Sequence, residues 1–350
     1  MNTVTVNTSS PYCVHIGHGL LPHAGSMIAA LGLSGKAAIL SDSNVWPLYG
    51  ELLSNSLKKA GFECCYYFFD AGEERKNGET YLQILNFLAQ NQLTRSDVLI
   101  ALGGGVVGDM AGFAAATYLR GIRYVQIPTS LLAMVDSSVG GKTAIDLDAG
   151  KNLVGAFYQP SLVVCDPQVL DTLSEDVFRD GCAEVIKYAV LFDPDLFSHL
   201  KQFGMSFLRE DVITKCIRHK RDIVCQDEFD KGQRQLLNLG HTIGHAIERC
   251  SNYHISHGYA VAGGIQIIAK ACTSTGDFSG DDYASLLSLL REFNFPVFTE
   301  FSCEELFCAA CNDKKRSGNS LTLVLPLTIG KCTLKEIPLE MLKSYIQAGL

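Results

Sequence analysis

The stretch that decides the fold is Val98-Leu-Ile-Ala-Leu-Gly103-Gly-Gly-Val-Val-Gly-Asp109. Its apolar start predicts a buried strand, Val98–Leu102, and the glycines lead into a small-residue helix at Met110–Ala116. Glycine lets backbone N–H groups approach a phosphate, and a helix N-terminus adds partial positive charge. Because α/β sheets bind ligands at the carboxyl ends of their strands, this loop is a candidate nucleotide site. A purely structural glycine turn remains an alternative.

Strand and helix patterns alternate on both sides of this stretch up to about residue 178, which is typical of a parallel sheet covered by helices. The other predicted strands are Ala37–Ser41, Cys64–Phe69, Tyr124–Ile127 and Leu162–Cys165, with helices at Val45–Lys59 and Thr80–Gln90 and an antiparallel edge at Thr3–Val6 and Tyr12–Ile16.

Beyond residue 178 the strand signal nearly disappears. The patterns there predict helices at Val177–Val190, Glu210–Asp227, His241–Cys250, Val261–Ser274 and Tyr283–Phe293, and a hairpin of Leu321–Leu325 with Cys332–Ile337. We therefore predict a Rossmann-like α/β domain over residues 1–178 and a mostly α-helical domain over 179–350. Small-molecule sites favour the cleft between two such domains, so we expect the site there.

Composition excludes several classes of protein. A net charge of −8 argues against a general nucleic-acid binder, which needs clustered cations. The N-terminus lacks the pattern of a signal peptide, and no apolar run is long enough to span a membrane. Thirteen cysteines without framework spacing predict reduced thiols in a cytoplasmic protein.

Three histidines and one glutamate suggest a metal site. His241 and His245 lie four residues apart and would share a helix face, His257 follows, and Glu184 precedes them. Imidazole and carboxylate are Zn²⁺ ligands, and three protein ligands leave a position open for substrate, as in catalytic sites. Histidines at helical spacing are also common as ordinary polar groups, and spacing does not choose between His241 and His245.

Further polar clusters follow the predicted strands. Asp42 and Asn44 can bind ribose hydroxyls, which favours NAD, or can serve as turn and cap residues. Gly72-Glu-Glu-Arg-Lys76 is a third candidate cofactor loop. Residues 120–160 contain Asp, Lys and Asn among many glycines, a composition that suits binding of a phosphorylated or carboxylated ligand. The alternative is that these lysines are ordinary solvated side chains.

Six blocks, in order, resemble the 3-dehydroquinate synthase family, a branch of the sugar-phosphate cyclases. The similarity spans roughly Asp42 to Pro326. The blocks are Gly103–Asp109, Val135–Thr143, Gly150–Pro160, Ala183–Tyr188, Asn238–His245 and Asp313–Lys315.

The resemblance implies a phosphorus–oxygen lyase of the shikimate pathway, which makes aromatic amino acid precursors. The reaction converts 3-deoxy-D-arabino-heptulosonate 7-phosphate to 3-dehydroquinate and phosphate by NAD-dependent oxidation, phosphate elimination, reduction and intramolecular aldol cyclisation. The resemblance also implies bound Zn²⁺ or Co²⁺, and a homodimer in which Arg120 reaches the neighbouring site.

Residue roles follow from the same resemblance. The implied metal ligands are Glu184, His241 and His257, so His245 falls among the substrate residues. Those are Arg120, Asp136, Lys142, Asn152, Lys187, Lys220, Arg234, Asn238, His245 and Lys314, with Lys315 as an alternative to the last. The implied NAD residues are Asp42, Asn44, Glu73, Lys76, Gly105, Val106, Val107, Gly108, Asp109, Thr129, Ser130, Lys142, Lys151 and Thr172. Tyr259 departs from the family, which commonly has Glu there.

Three alternatives remain. A sister cyclase would act on a sugar phosphate without a carboxylate, but Lys220 and Arg234 favour the carboxylated substrate. A metal-dependent polyol or glycerol dehydrogenase would not need the phosphate set of Lys142, Asn152 and Asn238, and would accumulate NADH. A protein that binds metal and NAD without catalysis is disfavoured by the complete set of residues.

Overall fold

The computed structural model describes residues 1–296, 299–314 and 320–350, with the backbone alone at 312–314. The chain divides into two compact units, one of Met1–Ser174 with Arg209–Phe229 and one of Glu175–Leu208 with Asp230–Leu350. The strands are β1 (Asn2–Val6), β2 (Tyr12–Ile16), β3 (Lys36–Asp42), β4 (Glu63–Phe69), β5 (Val98–Gly103), β6 (Arg123–Pro128), β7 (Lys142–Leu147), β8 (Gly150–Phe157), β9 (Leu162–Cys165), β10 (Ser320–Thr328) and β11 (Lys331–Pro338). The helices are α1 (Ala24–Ala29), α2 (Glu51–Lys59), α3 (Gly78–Gln90), α4 (Gly105–Thr117), α5 (Glu175–Phe192), α6 (Pro194–Phe203), α7 (Arg209–Gln226), α8 (His241–Cys250), α9 (His257–Thr275), α10 (Gly280–Glu292), α11 (Cys303–Lys314) and α12 (Leu339–Gly349).

The first unit is built on a seven-stranded sheet in the order β1-β2-β9-β6-β5-β3-β4. All neighbouring pairs are parallel except β1 with β2, so the predicted parallel sheet with an antiparallel edge is confirmed. Every residue of β5 is buried, which explains its unbroken apolar sequence: a central parallel strand is covered on both faces. In register, Ile100 lies between Ile39 and Val125.

Helix α4 packs against this sheet through small residues. Val107, Met110 and Ala111 join the buried core beside Leu99. A Cβ at Gly112 would lie 2.3 Å from the Thr143 methyl carbon, so glycine is what allows β7 to lie this close to α4. Helix α4 therefore also positions the hairpin that begins at Lys142.

Strands β7 and β8 form an antiparallel hairpin that sequence patterns did not predict. The composition of residues 120–160 predicts a functional segment, and the sequence patterns there predict a strand at Tyr124–Ile127 alone. Most of β8 is exposed, so it lacks the apolar alternation that identifies a strand. The predicted helix Val45–Lys59 is present, but its first part, Trp46–Gly50, is a π-helix that contains Pro47, which has no N–H to donate, and the α-helix α2 begins at Glu51.

Helix α7 belongs to the first unit, although the sequence places it among the later helices. The Asn2 amide donates to Glu210 at 3.1 Å, and Lys220 donates to the Asp136 carbonyl at 2.6 Å. The structural units therefore differ from the predicted division into 1–178 and 179–350 at residues 175–178 and at Arg209–Phe229.

The second unit is mostly helical and contains the predicted hairpin, β10 with β11. Helix α5 is buried along most of its length, and α9 packs against both α5 and α8. A Cβ at Gly264 would lie 2.0 Å from the Gly240 carbonyl oxygen, so α8 and α9 approach backbone to backbone. All thirteen cysteines are free thiols. Among the described residues, we find no helix with an apolar stretch long enough to cross a membrane.

Candidate metal centre and cofactor loops

Three helices of the second unit bring together Glu184, His241 and His257, whose potential ligand atoms all lie within 4.8 Å of one another. Glu184 lies on α5, and the two histidines are the first residues of α8 and α9. The Glu184 Oε1 atom is 3.3 Å from His241 Nε2 and 3.4 Å from His257 Nε2. Two ligands of a tetrahedral Zn²⁺ at ordinary bond lengths lie about 3.3 Å apart, so these distances fit a metal ion.

The other nitrogen of each imidazole is held by the protein. His241 Nδ1 lies 3.1 Å from the Leu239 carbonyl oxygen, and His257 Nδ1 lies 3.4 Å from the buried Glu248 carboxylate. Such contacts fix the ring and leave Nε2 for a metal. Sequence reasoning missed Glu248, although it lies seven residues after His241, two helical turns along the same face.

The charges of the cluster suit a cation. Burial alone would raise the pKa of Glu184, but the Lys187 ammonium and the two imidazoles hold it well below its usual value. Burial lowers the pKa of His241 to about 4, so this ring is neutral. Burial would also lower the pKa of His257, but hydrogen bonds to Glu184 and Glu248 raise it to about 10. A metal would therefore displace a proton from His257.

His245 is the other candidate ligand that the sequence left open. It forms a second possible group with Glu248 and His257, but its side chain is exposed. Its ring centre lies 5.6 Å from that of His241 and 6.0 Å from that of His257. The ring centre of His241 lies 5.3 Å from that of His257, so His241 and His245 are both near His257. Of these two, His241 is the one grouped with the buried Glu184.

In the first unit, the predicted cofactor residues Lys76 and Asp109 form an ion pair. The Lys76 ammonium donates to the Asp109 carboxylate and to the Asn152 amide oxygen, both at 2.6 Å. Burial opposes the charge of Lys76, but Asp109 and Glu73 hold its pKa above the usual value. Burial raises the pKa of Asp109 despite the lysine. This contact joins the glycine loop, the Glu73–Lys76 turn and the β7–β8 hairpin.

Two further predicted cofactor residues have partners nearby. Lys151 lies 3.8 Å from the Glu73 carboxylate. The Thr172 hydroxyl lies 2.8 Å from that of Tyr49. Asp42 accepts hydrogen bonds from the backbone N–H groups of residues 44 and 45, both at 2.9 Å, so it has the turn-capping role that the sequence left open.

The glycine loop itself occupies the first turn of α4. Gly105, Val106 and Val107 are the first three residues of the helix, where N–H groups lack partners within the helix, whereas the Gly108 N–H already donates to the Gly104 carbonyl at 3.0 Å. The Thr129 backbone N–H donates to the Gly103 carbonyl at 3.0 Å and ties this loop to the end of β6, next to Ser130.

The predicted substrate residues differ in burial. In the first unit, Lys220 is buried and contacts the Asp136 carboxylate at 3.1 Å. In the second unit, Lys187 pairs with Glu184 and Arg234 is buried. The exposed members are Arg120, Lys142, Asn152, Asn238 and His245. The side chain of Lys314 and all of Lys315 lie outside the described residues.

Comparisons with known proteins identify the family. Models of the 3-dehydroquinate synthase N-terminal and C-terminal domains match residues 66–180 and 181–316. The chain belongs to the 3-dehydroquinate synthase family. A 3-dehydroquinate synthase of Streptococcus pneumoniae (strain ATCC 700669 / Spain 23F-1) is 43% identical over 343 residues, covering 96% of this chain and 97% of that protein.

Solved structures of related cyclases share the fold. A 2-deoxy-scyllo-inosose synthase complexed with carbaglucose-6-phosphate, NAD⁺ and Co²⁺ matches with a TM-score of 0.90 and 25% identity over 100% of both chains. A 2-epi-5-epi-valiolone synthase from Streptomyces hygroscopicus subsp. jinggangensis 5008, with NAD⁺ and Zn²⁺ bound, matches with a TM-score of 0.88 and 26% identity over 99% of this chain and 98% of that one. The family's fold class, an α/β domain followed by a mostly helical domain, is thus the one described above.

Proposed function

We propose that this chain catalyses the 3-dehydroquinate synthase reaction, converting 3-deoxy-D-arabino-heptulosonate 7-phosphate to 3-dehydroquinate and phosphate. The observation that carries the proposal is the 43% identity to a named 3-dehydroquinate synthase over 96% of the chain. The solved sister cyclases are only 25–26% identical, so the sequence favours the family's own reaction over theirs.

The cofactors in this proposal are NAD and Zn²⁺ or Co²⁺, which two structural relatives contain. When bound, NAD supplies hydride transfer, and the metal supplies a Lewis acid for a substrate oxygen. Glu184, His241 and His257 would hold the metal, since their charge, spacing and ring orientation suit it. Lys76, Asp109 and the first turn of α4 are among the residues that would hold NAD.

The polar side chains of each unit would orient and neutralise the substrate. On the first unit, Lys142 and Asn152 would bind its phosphate, and Lys220 its carboxylate. On the second unit, Arg234 would bind the carboxylate and Asn238 the phosphate. Holding both ends fixes the reacting geometry, and a preorganised charged donor is worth about 3–4 kcal/mol, or roughly 10²–10³ in rate.

We further propose that the enzyme is a cytoplasmic homodimer in which Arg120 reaches the neighbouring site. Arg120 is exposed and held in left-handed backbone with φ of 66°, next to Leu119 with φ of 51°, so its turn is fixed in a costly conformation. If sites are shared, mixing inactive Arg120→Ala and His241→Ala chains should restore about a quarter of wild-type activity, since half the dimers would carry one intact site. Failure of mixed dimers to regain activity would refute the shared site.

The activity is tested by phosphate release from 3-deoxy-D-arabino-heptulosonate 7-phosphate with catalytic NAD⁺, with and without a chelator. We expect chelator-sensitive release, many turnovers for each NAD⁺, and no accumulation of NADH. Stoichiometric NADH without phosphate release would indicate a dehydrogenase. Release only from sugar phosphates without a carboxylate would indicate a sister cyclase.

A further inference from the structure

The first turn of α9 is fastened to α5 through Asp180. The Asp180 Oδ1 atom accepts hydrogen bonds from the Gly258 backbone N–H at 2.7 Å, the Tyr259 backbone N–H at 3.3 Å and the Ser256 hydroxyl. The first N–H groups of a helix lack partners within the helix, and Ser256, at the N-cap position, makes no capping bond to α9 itself. A carboxylate from another helix therefore caps α9.

This cap acts one residue away from a proposed metal ligand. His257 is the first residue of α9, between Ser256 and Gly258, both of which bind Asp180. On α5, Asp180 lies four residues before Glu184, so the two carboxylates share a helix face. One carboxylate holds the start of α9, and the other lies 3.4 Å from the His257 imidazole.

Close packing and a second pair of side chains keep the two helices in register. A Cβ at Gly258 would lie 1.9 Å from the Asp180 carbonyl oxygen, so the start of α9 rests directly on the α5 backbone. The buried Arg179 donates to the Tyr259 hydroxyl at 3.0 Å and also pairs with Glu175 and with Asp176. Neighbouring residues of α5 therefore hold both the backbone and a side chain of the α9 start.

We propose that Asp180 is a positioning residue for the metal centre, which caps α9 and thereby holds His257 in register with Glu184. This inference rests on the proposed function, because it assumes that Glu184, His241 and His257 bind a metal. Asp180 itself belongs to neither group of potential metal ligands found among the described residues. Its effect is on the affinity of the centre through the geometry of the α9 first turn.

The test measures Co²⁺ affinity and absorption spectrum in the full chain carrying Asp180→Ala. We expect about tenfold weaker Co²⁺ binding and an altered absorption spectrum. A loss of about tenfold is at the lower end of the range of affinity losses seen when a group that orients a metal ligand is removed. Asp180→Asn should restore most of the affinity, because asparagine caps helices about as well as aspartate. In metal-free protein, amide exchange at Gly258 and Tyr259 should be faster in Asp180→Ala.

The matched control is Ser279→Ala, which removes a helix cap in the same unit. Ser279 accepts a hydrogen bond from the Asp282 backbone N–H at 3.0 Å at the start of α10. Unchanged Co²⁺ affinity in this control would support the proposal, and an equal loss in both variants would overturn it. Wild-type affinity in Asp180→Ala would also overturn it while leaving the proposed function intact, whereas absence of Co²⁺ binding by the unsubstituted chain would refute both.

Discussion

Substituting Gly264 by alanine should separate α8 from α9 and disturb the metal centre. The added methyl carbon would lie 2.0 Å from the Gly240 carbonyl oxygen and 2.8 Å from the Gly244 nitrogen. Both are backbone atoms, so relief to an ordinary contact of about 3.5 Å requires a shift of about 1.5 Å between the helices. Overpacking of this kind costs about 1–3 kcal/mol of the free energy of unfolding.

The same shift should weaken metal binding, because His241 directly follows Gly240. A displacement of about 1 Å in a preorganised site can cost about 100-fold in function. The assays are denaturant unfolding and Co²⁺ titration of the full chain. Gly263→Ala is the matched control on the same helix, since its methyl would meet only the flexible end of Ile247 at 3.1 Å. Equal stability and equal Co²⁺ affinity in the two variants would refute the reasoning.

Three further predictions concern the two histidines, a buried ion pair and acid stability. His241→Ala should abolish tight Co²⁺ binding, whereas His245→Ala should keep tight Co²⁺ binding and lose phosphate release. If a Co²⁺ titration gave the reverse result, His245 would be the metal ligand and His241 the substrate residue. Lys76→Met should destabilise the protein by about 2–3 kcal/mol and weaken NAD binding, because it leaves the Asp109 carboxylate without its cation; unchanged calorimetric affinity would contradict this. Burial would raise the pKa of Asp97, but backbone and side-chain hydrogen bonds lower it below its usual value of 3.8. The contribution of Asp97 to stability is therefore present above pH 3.8 and is lost as the pH falls through the folded-state pKa. Asp97→Asn should therefore reduce the difference in urea midpoint between pH 7 and pH 3, and an unchanged difference would exclude this role.

The centre of the sheet could be predicted from the sequence because its strands there are buried on both faces. Strands such as Val98–Leu102 and Leu162–Cys165 carry unbroken apolar runs, and the structure places them in β5 and β9. Strand β8 could not be found in this way, since most of its side chains are exposed and its pairing with β7 depends on backbone hydrogen bonds. Its location follows from its pairing with β7, which packs against α4.

The helix α7 shows a second limit of sequence reasoning. Sequence periodicity predicts that this helix exists, but it does not predict to which structural unit the helix belongs. That assignment depends on contacts between residues far apart in sequence. Asn2 contacts Glu210, and Asp136 contacts Lys220. Helical periodicity reports which face is apolar and says nothing about which distant segment covers that face.

The candidate metal centre was partly predictable from the sequence. Residue types and spacing indicated Glu184 and a set of histidines, but helical spacing could not separate His241 from His245. The structure favours His241 as the ligand, because it is grouped with the buried Glu184 whereas His245 is exposed. The contacts of Leu239 and Glu248 with the imidazoles are three-dimensional facts, although Glu248 lies on the same helix face as His241 and could have been proposed.

The position of α7 also bears on how the chain folds as it is synthesised. A ribosome releases Met1–Ser174 first, but the segment Arg209–Phe229 that completes this unit emerges only after Glu175–Leu208 of the other unit. Until that segment emerges, the part of the first unit that α7 covers remains exposed to solvent. Incomplete intermediates of this kind are prone to aggregate. A fragment ending at Ser174 would remain in that state permanently, so neither unit can be obtained whole by a single cut in the gene.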